Sequence, residues 1–302
     1  MHLQAVSIGH AVPRIDFDAV VHSVFDSVVN LQPNHEDRLL TVLASGDTDL
    51  PQGVRLQAPA GFSFNALTPH ANVTCRGGVL RFDDLPLTID LQKATCWDSQ
   101  LPAVRADMTN QGVRTAWQCA WQALNDCQSL HGSGLIAREL CDETAKQPVS
   151  WIEHARRSLH AIMEATRSSG SVPGKALRGL IGLGPGLTPS GDDLLAGYLI
   201  GLRCAIQGRS ERELFLSRLA SAVIRLSKRT DDISRTYVFH AAHGHASSPL
   251  MHLAEAICEG TPEPEILAGT AAAMQAGHTS GMDTVTGLLI GLAVWDAREL
   301  LN

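Results

Sequence analysis

A thirteen-residue segment occurs twice in the C-terminal half of the chain, and this duplication limits the possible folds more than any other part of the sequence. SGDDLLAGYLIGL at 190–202 returns as SGMDTVTGLLIGL at 280–292, with eight of the thirteen residues identical. Each copy places Ser-x-x-Asp directly before an apolar run, the pattern of a capping box at a helix start. The sequence therefore predicts two helices that begin with the boxes Ser190/Asp193 and Ser280/Asp283.

Both copies also carry two glycines four positions apart, Gly197 with Gly201 and Gly287 with Gly291. A glycine inside a helix costs about 1 kcal/mol relative to alanine, so two such pairs indicate a compensating contact. We expect the two helices to cross at these glycines with their backbones close together, which would bring the helix starts near each other. The alternative is that each helix packs its small residues against an unrelated neighbour.

The loop before the first helix, GLGPGLTP at 182–189, is rich in glycine and proline. Such a loop leaves backbone amides bare at the positive end of a helix, a setting that suits phosphate or carboxylate. No lysine follows at the Walker A spacing, and no βαβ pattern surrounds the loop, so it matches neither nucleotide-binding fingerprint. A purely structural turn between two helices stays the alternative.

Three charged or titratable residues flank this predicted anion site. Asp192 and Asp193 would repel an anion unless Asp193 is held in its box with Asp192 turned away, a carboxyl group is protonated, or Mg²⁺ bridges the groups. A carboxylate could also act as general base toward an amine nucleophile. His278, in the turn before the second helix, could polarise a carbonyl or hold oxyanion charge. Alternatively, it is a turn histidine bonded to a backbone carbonyl.

The fold class expected for the chain is α+β, with a β-rich domain over residues 1–108 and a mainly helical domain over 109–302. The first part breaks apolar segments such as AVSIGHAV, HSVFDSVVNL and GVRLQA with Gly, Pro, Asn and Asp, which is typical of small antiparallel strands. Later segments such as VRTAWQCAWQALNDC and WIEHARRSLHAIMEATRSS space apolar residues three and four apart, as amphipathic helices do. We place the boundary within 100–112.

Composition narrows the functional classes. The net charge is −7 and no basic cluster occurs, so nucleic-acid binding is not expected. Seven cysteines without a CxxC pair indicate reduced thiols, and no set of metal ligands is assigned. The sequence lacks a signal-peptide pattern, and its longest apolar stretches are too short to span a bilayer. We therefore expect a cytoplasmic protein that has no membrane partner.

Three segments carry a family resemblance: GLGPGLTPSGDD at 182–193, TDDISRTYVFHAAHG at 230–244 and AGHTSGMDTVTGLLIGL at 276–292. Through them the chain resembles the AllH-like family of bacterial proteins, long classed as a domain of unknown function. One branch is associated with oxamate carbamoyltransferase in anaerobic allantoin breakdown, a part of purine catabolism. The resemblance implies a subunit that works with partner subunits to interconvert oxalurate plus phosphate with oxamate plus carbamoyl phosphate. The cofactor stays unknown, with Mg²⁺ possible.

The resemblance also implies a substrate site for a small anion such as carbamoyl phosphate or oxamate. We expect phosphate on the amides of 184–191, the carbamoyl oxygen on His278, and Asp192 as base or metal ligand. The candidate catalytic residues are Asp192, Asp193, His278 and Asp283. The candidate anion-binding residues are Gly184, Gly186, Thr188, Ser190, Gly191, Thr230, Ser234, Arg235, Gly277, Thr279, Ser280 and Gly281. The competing hypotheses are a non-catalytic assembly or regulatory subunit, and an independent enzyme acting on small phosphorylated carboxylates.

Overall fold

The computed structural model describes residues 1–34, 36–44, 46–98, 105–131, 135–142 and 150–301. The chain divides into two compact units. The first comprises Met1–Gln100 with Ala246–Ser248, and the second comprises Leu101–His245 with Pro249–Asn302. The predicted boundary segment, 100–112, begins outside the described residues.

The first unit is a nine-stranded sheet in which most neighbouring strands are antiparallel. Its strands are β1 His2–Gly9, β2 Phe17–Val24, β3 Val28–Pro33, β4 Leu40–Leu43, β5 Gly53–Gln57, β6 Asn72–Arg76, β7 Val79–Phe82, β8 Thr88–Asp90 and β9 Thr95–Trp97. The order β5-β4-β3-β2-β6-β7-β8-β1 closes into a ring, because β1 also pairs with β5. Strand β9 adds to β1 in parallel, and the pairs β1–β8 and β4–β5 are parallel as well.

Aliphatic side chains fill the interior of this closed sheet. Val21, Val29, Leu31 and Val42 are fully buried, and they come from three successive strands. The segment HSVFDSVVNL folds as a hairpin, because its polar centre forms a turn in which the Phe25 amide donates to the Val28 carbonyl at 2.8 Å. The prediction of small, mainly antiparallel strands is confirmed.

The second unit is helical, as predicted. Its helices are α1 Gln111–His131, α2 Ala137–Cys141, α3 Trp151–Arg167, α4 Gly174–Leu180, α5 Ser190–Cys204, α6 Ser210–Leu226, α7 Asp232–Ala242, α8 Ser248–Glu259, α9 Glu263–Met274 and α10 Ser280–Ala293. Among the described residues, every helix falls short of the length or the apolar content needed to cross a membrane. The α+β class is confirmed.

Helices α5 and α10, the two copies of the duplicated segment, cross at their glycines. A Cβ added to Gly197 would overlap the Thr284 carbonyl oxygen, and one added to Gly287 would overlap that of Leu194. A Cβ on Gly201 would lie 2.9 Å from the Gly291 Cα. The backbones thus meet where no side chain fits, which confirms the prediction that the duplicated helices pack against each other.

Candidate functional site

The starts of α5 and α10 lie side by side. The Thr188 hydroxyl oxygen is 2.6 Å from the Ser280 hydroxyl oxygen. Each helix start also bonds across to the acid of the other, since the Ser280 hydroxyl donates to the Asp193 carboxylate and the Ser190 hydroxyl donates to Asp283. These five residues form one polar cluster, which we call the helix-start corner.

This exchange corrects the predicted capping boxes. Pro189 and Thr279 occupy the N-cap positions, and neither helix start has a side-chain cap. The amides of Asp193 and Asp283 donate instead to the carbonyls of Pro189 at 3.3 Å and Thr279 at 3.0 Å. Because the two serines are already the first helical residues, their hydroxyls reach the neighbouring helix and not their own backbone. The capping-box prediction is therefore wrong at both helix starts.

The loop before α5 keeps several of its backbone amides unbonded. Gly184 and Gly186 have φ values of +119° and +93°, which turn the backbone as glycine allows. The amides that donate no hydrogen bond within the described part of the chain are those of Gly184, Gly186, Leu187, Thr188 and Ser190. Two further candidate amides are already engaged, because Gly191 donates to Leu183 and Gly281 donates to Ala276, both at 2.8 Å. The bare amides thus cluster in residues 184–190.

The two acids of the corner are buried and incompletely bonded. Asp193 is 7% exposed and Asp283 is 1% exposed, and the Oδ2 atom of each has no hydrogen-bond partner in the described chain. Burial raises the pKa of Asp283 to about 7 against the opposing hydrogen bonds from the Ser190 hydroxyl and the Leu135 amide. Burial also raises the pKa of Asp193 well above its usual range. The carboxyl group of Asp283 is therefore suited to exchange a proton near neutral pH.

Asp192 has a different environment, because both of its oxygens are engaged. Oδ1 accepts from the Gly182 amide at 3.1 Å, and Oδ2 accepts from the Thr230 hydroxyl. Burial raises the pKa of Asp192 to about 6. This residue ties the glycine-rich loop to the segment that precedes α7.

The described residues do not fit Mg²⁺, which the sequence left as a possible cofactor. They contain no group of three or more His, Cys, Asp or Glu side chains that could hold a metal ion. The oxygens of Asp192, the predicted ligand, are already taken by protein donors. No step that involves a metal is therefore assigned to this site.

The segment before α7 links the start of a third helix, α7, to the start of α5. Asp231 caps α7 by accepting from the Ser234 amide at 2.9 Å. Ser234 is 1% exposed, and its hydroxyl has no hydrogen-bond partner among the described residues. Arg235 pairs with Asp232 at 2.6 Å. Thr230, one of the three residues predicted from this segment, is bonded to Asp192 at the start of α5.

Tyr237 is a site residue that sequence reasoning missed. Burial and the charge of Asp193 raise its pKa to about 12, so the phenol lies near the corner and keeps its proton at neutral pH. The sequence did contain a signal, because Tyr237 follows Ser234 by three residues, a spacing that places two side chains on one face of a helix.

The turn before α10 is the exposed rim of the corner. Gly277 and His278 are exposed, whereas Thr279 and Ser280 are half-buried. His278 makes no hydrogen bond within the described chain, so it is not a turn histidine bonded to a backbone carbonyl. Its ring therefore stays available at the rim.

The fold and the corner define a class of protein with a closed β sheet followed by a helical unit, in which an internal repeat builds one shared polar cluster. Two family models match this chain. The model described as oxamate carbamoyltransferase subunit AllH matches residues 180–292, and the model described as the AllH family N-terminal domain matches residues 4–96. The chain belongs to the AllH family. No solved structure matches it.

Proposed function

We propose that this chain is the AllH-type subunit of an oxamate carbamoyltransferase, and that the helix-start corner binds the small substrate of that reaction. The observation that carries the proposal is that hydrogen-bond donors and hydrogen-bond acceptors near the starts of α5 and α10 are both left without partners. Within the described part of the chain, the amides of the non-proline residues from 184 to 190 donate no hydrogen bond, and the buried Oδ2 atoms of Asp193 and Asp283 accept none. Buried polar atoms are nearly always paired in folded proteins, so a ligand that donates to the two Oδ2 atoms is favoured. The amides of Gly186 and Leu187 belong to exposed residues and are open to an anionic group.

The chemistry of the cluster selects a ligand that carries an anionic group and an NH₂ group. Bare amides at a helix start accept a carboxylate or a phosphate. A carboxylate oxygen without a donor accepts a hydrogen bond from an amide N–H. Oxamate and carbamoyl phosphate each combine an anion with an NH₂ group, whereas inorganic phosphate offers only the anion.

The acids of the corner can also move the proton that carbamoyl transfer requires. When the oxamate nitrogen attacks the carbamoyl carbon, a C–N bond forms, the C–O bond to phosphate breaks, and the nitrogen loses a proton. Asp283 has a pKa of about 7, so its ionised form can take that proton near neutral pH. In the reverse direction the same carboxyl group returns the proton to the departing nitrogen.

The remaining candidate residues take supporting roles in this proposal. Asp192 positions the loop through Gly182 and Thr230, so we assign it no proton transfer. His278, at the exposed rim, is the donor proposed for the carbamoyl oxygen. Partner subunits are implied by the family description, which names a subunit of an enzyme. We propose that the assembled enzyme acts in the cytoplasm.

Calorimetric titration of the full chain with oxamate, carbamoyl phosphate and inorganic phosphate tests this proposal. We expect saturable binding of oxamate and a loss of about tenfold or more in Asp283→Asn, because the variant replaces the free acceptor with a donor. Phosphate binding should change less. Asp126→Asn, at an exposed position on α1, is the matched control.

Two results would count against the proposal. One is oxamate binding that Asp283→Asn leaves unchanged. The other is the absence of oxamate binding by the chain both alone and together with its partner subunits, which would favour a role in assembly.

A further inference from the structure

A cavity lies in the helical unit, at the opposite end of α5 from the helix-start corner. Its volume is about 420 Å³, within the usual range for small-molecule sites. One face of α6 lines its length, and the last residues of α5 and α7 line its end. Thirteen residues of α5 separate Ser190 from Arg203, a rise of roughly 20 Å, so this cavity is distinct from the corner.

Arg203 is a cation without a partner in this cavity. Its Nε atom is buried and has no hydrogen-bond partner, and the guanidinium forms no ion pair within the described chain. Gly244, with φ at +86°, lets the backbone after α7 approach the arginine, because a Cβ there would lie 2.7 Å from the Arg203 Cδ. Leaving a buried donor of a charged group unpaired is unfavourable, so an anionic ligand group would stabilise this arrangement.

Glu213 supplies the opposite charge on the wall of the same cavity. Its side chain is exposed and forms no ion pair among the described residues. The two charges are not paired with each other, since no Arg203 nitrogen lies within 4.0 Å of a Glu213 oxygen. Glu213 would therefore repel a ligand that carries only a negative charge, and Arg203 would repel a ligand that carries only a positive charge.

The rest of the lining is apolar or neutral. Leu216 and Ile224 bring aliphatic surface from α6, and Ser217 and Ser221 bring hydroxyl groups. His243 is fixed at the end of α7, because its Nδ1 bonds the Phe239 carbonyl at 2.8 Å. The cavity thus combines one free cation, one free carboxylate and an aliphatic wall.

We propose that this cavity binds a small zwitterion with an aliphatic body, of the class of the aliphatic α-amino acids. The ligand carboxylate pairs with Arg203, the ligand ammonium pairs with Glu213, and the side chain packs on Leu216 and Ile224. Charge-assisted bonds to a guanidinium are among the stronger polar contacts in proteins, which makes Arg203 the main anchor. The site is independent of the function proposed for the corner.

Titration of the full chain with L-leucine, 4-methylpentanoate and 3-methylbutylamine tests this inference. The second compound keeps only the carboxylate and the third keeps only the amine. We expect L-leucine to bind saturably and more tightly than either analogue. Arg203→Met should weaken leucine binding about tenfold or more, and Glu213→Gln should remove the preference for leucine over 4-methylpentanoate.

Arg218→Met is the matched control, because Arg218 is exposed on α6 and does not line the cavity. Glu213→Gln changes an exposed position, so it keeps the test decisive if Arg203→Met unfolds the chain. The inference is overturned if leucine fails to bind, or if a single-charge analogue binds the wild-type chain as tightly as leucine. Equal binding by the wild type and a folded Arg203→Met would overturn it too.

Discussion

Asp193 and Asp283 each keep one buried oxygen that accepts no hydrogen bond from the residues the structure describes. Each acid also receives a hydroxyl bond from the serine of the opposite helix, so both are oriented although incompletely satisfied. The hydrogen bond to one oxygen fixes the orientation of the carboxyl group. The other oxygen is then available to accept a hydrogen bond from a ligand or to exchange a proton. The same feature has a cost in stability that depends on pH.

Asp283→Asn is expected to change the pH dependence of the free energy of unfolding. The folded-state pKa of Asp283 is about 7, above its ordinary value of 3.8, so the folded chain holds this proton over a wider pH range than the unfolded chain. The stability linked to this proton is fully present below about pH 4 and is lost as the pH rises through 7. Relative to Asp283→Asn, the wild type should therefore lose up to about 4 kcal/mol across that window.

Denaturant unfolding of the wild type, Asp283→Asn and the exposed-site control Asp126→Asn at several pH values between 4 and 8 measures this effect. The control should follow the wild type, while the difference between the wild type and Asp283→Asn should grow with pH. A constant difference at all pH values would show that burial does not perturb this carboxyl group.

Sequence reasoning identified most residues of the corner but not their bonds. The Ser-x-x-Asp pattern is the same whether the acid caps its own helix or bonds the serine of a neighbouring one. Only the crossing of α5 and α10 brings Asp193 to Ser280 and Asp283 to Ser190. A local pattern therefore predicted the right residues with the wrong partners.

At the level of secondary-structure elements, the crossing of α5 and α10 depends on glycine. The backbones approach so closely at Gly197 that a single methyl group would overlap the Thr284 carbonyl oxygen. Rigid backbone atoms line that contact, so relief requires the helices to separate.

Gly197→Ala should lower the free energy of unfolding by about 3 kcal/mol or more, despite the better helix propensity of alanine. Gly269→Ala in α9 is the matched control. The added methyl there would make an ordinary contact at 3.8 Å with Leu253, so this variant should gain up to about 1 kcal/mol. Thermal or denaturant unfolding of both variants measures the contrast, and a Gly197→Ala as stable as the wild type would refute the close crossing.

The helices and strands that could be predicted from the sequence are those in which apolar residues recur at a regular spacing. The amphipathic segments that became α1, α3, α6 and α8 were recognisable because tertiary packing agrees with their three- and four-residue spacing. Helix α9, EPEILAGTAAAM, is rich in alanine and lacks a strong apolar stripe. Strands β8 and β9 span only three residues each, too few for an alternating pattern to appear.

At the level of the whole molecule, the family match over residues 4–96 lies in the first unit, and the match over 180–292 lies mainly in the second. The corner and the Arg203 cavity both fall within the second match, at opposite ends of α5. The closure of the sheet in the first unit was not foreseeable, because it depends on β1 pairing with both β8 and β5. Composition and turn residues predict strands but carry no information on such long-range pairings.

We propose that the bare amides beside the duplicated helix starts receive the anionic end of a small substrate. Amide-resolved NMR during an oxamate titration measures this directly. We predict that the amide signals of Gly184 and Gly186 shift saturably along the same binding curve, while that of Gly260, in the turn between α8 and α9, stays in place. Oxamate binding that leaves the signals of Gly184 and Gly186 unchanged would contradict the claim.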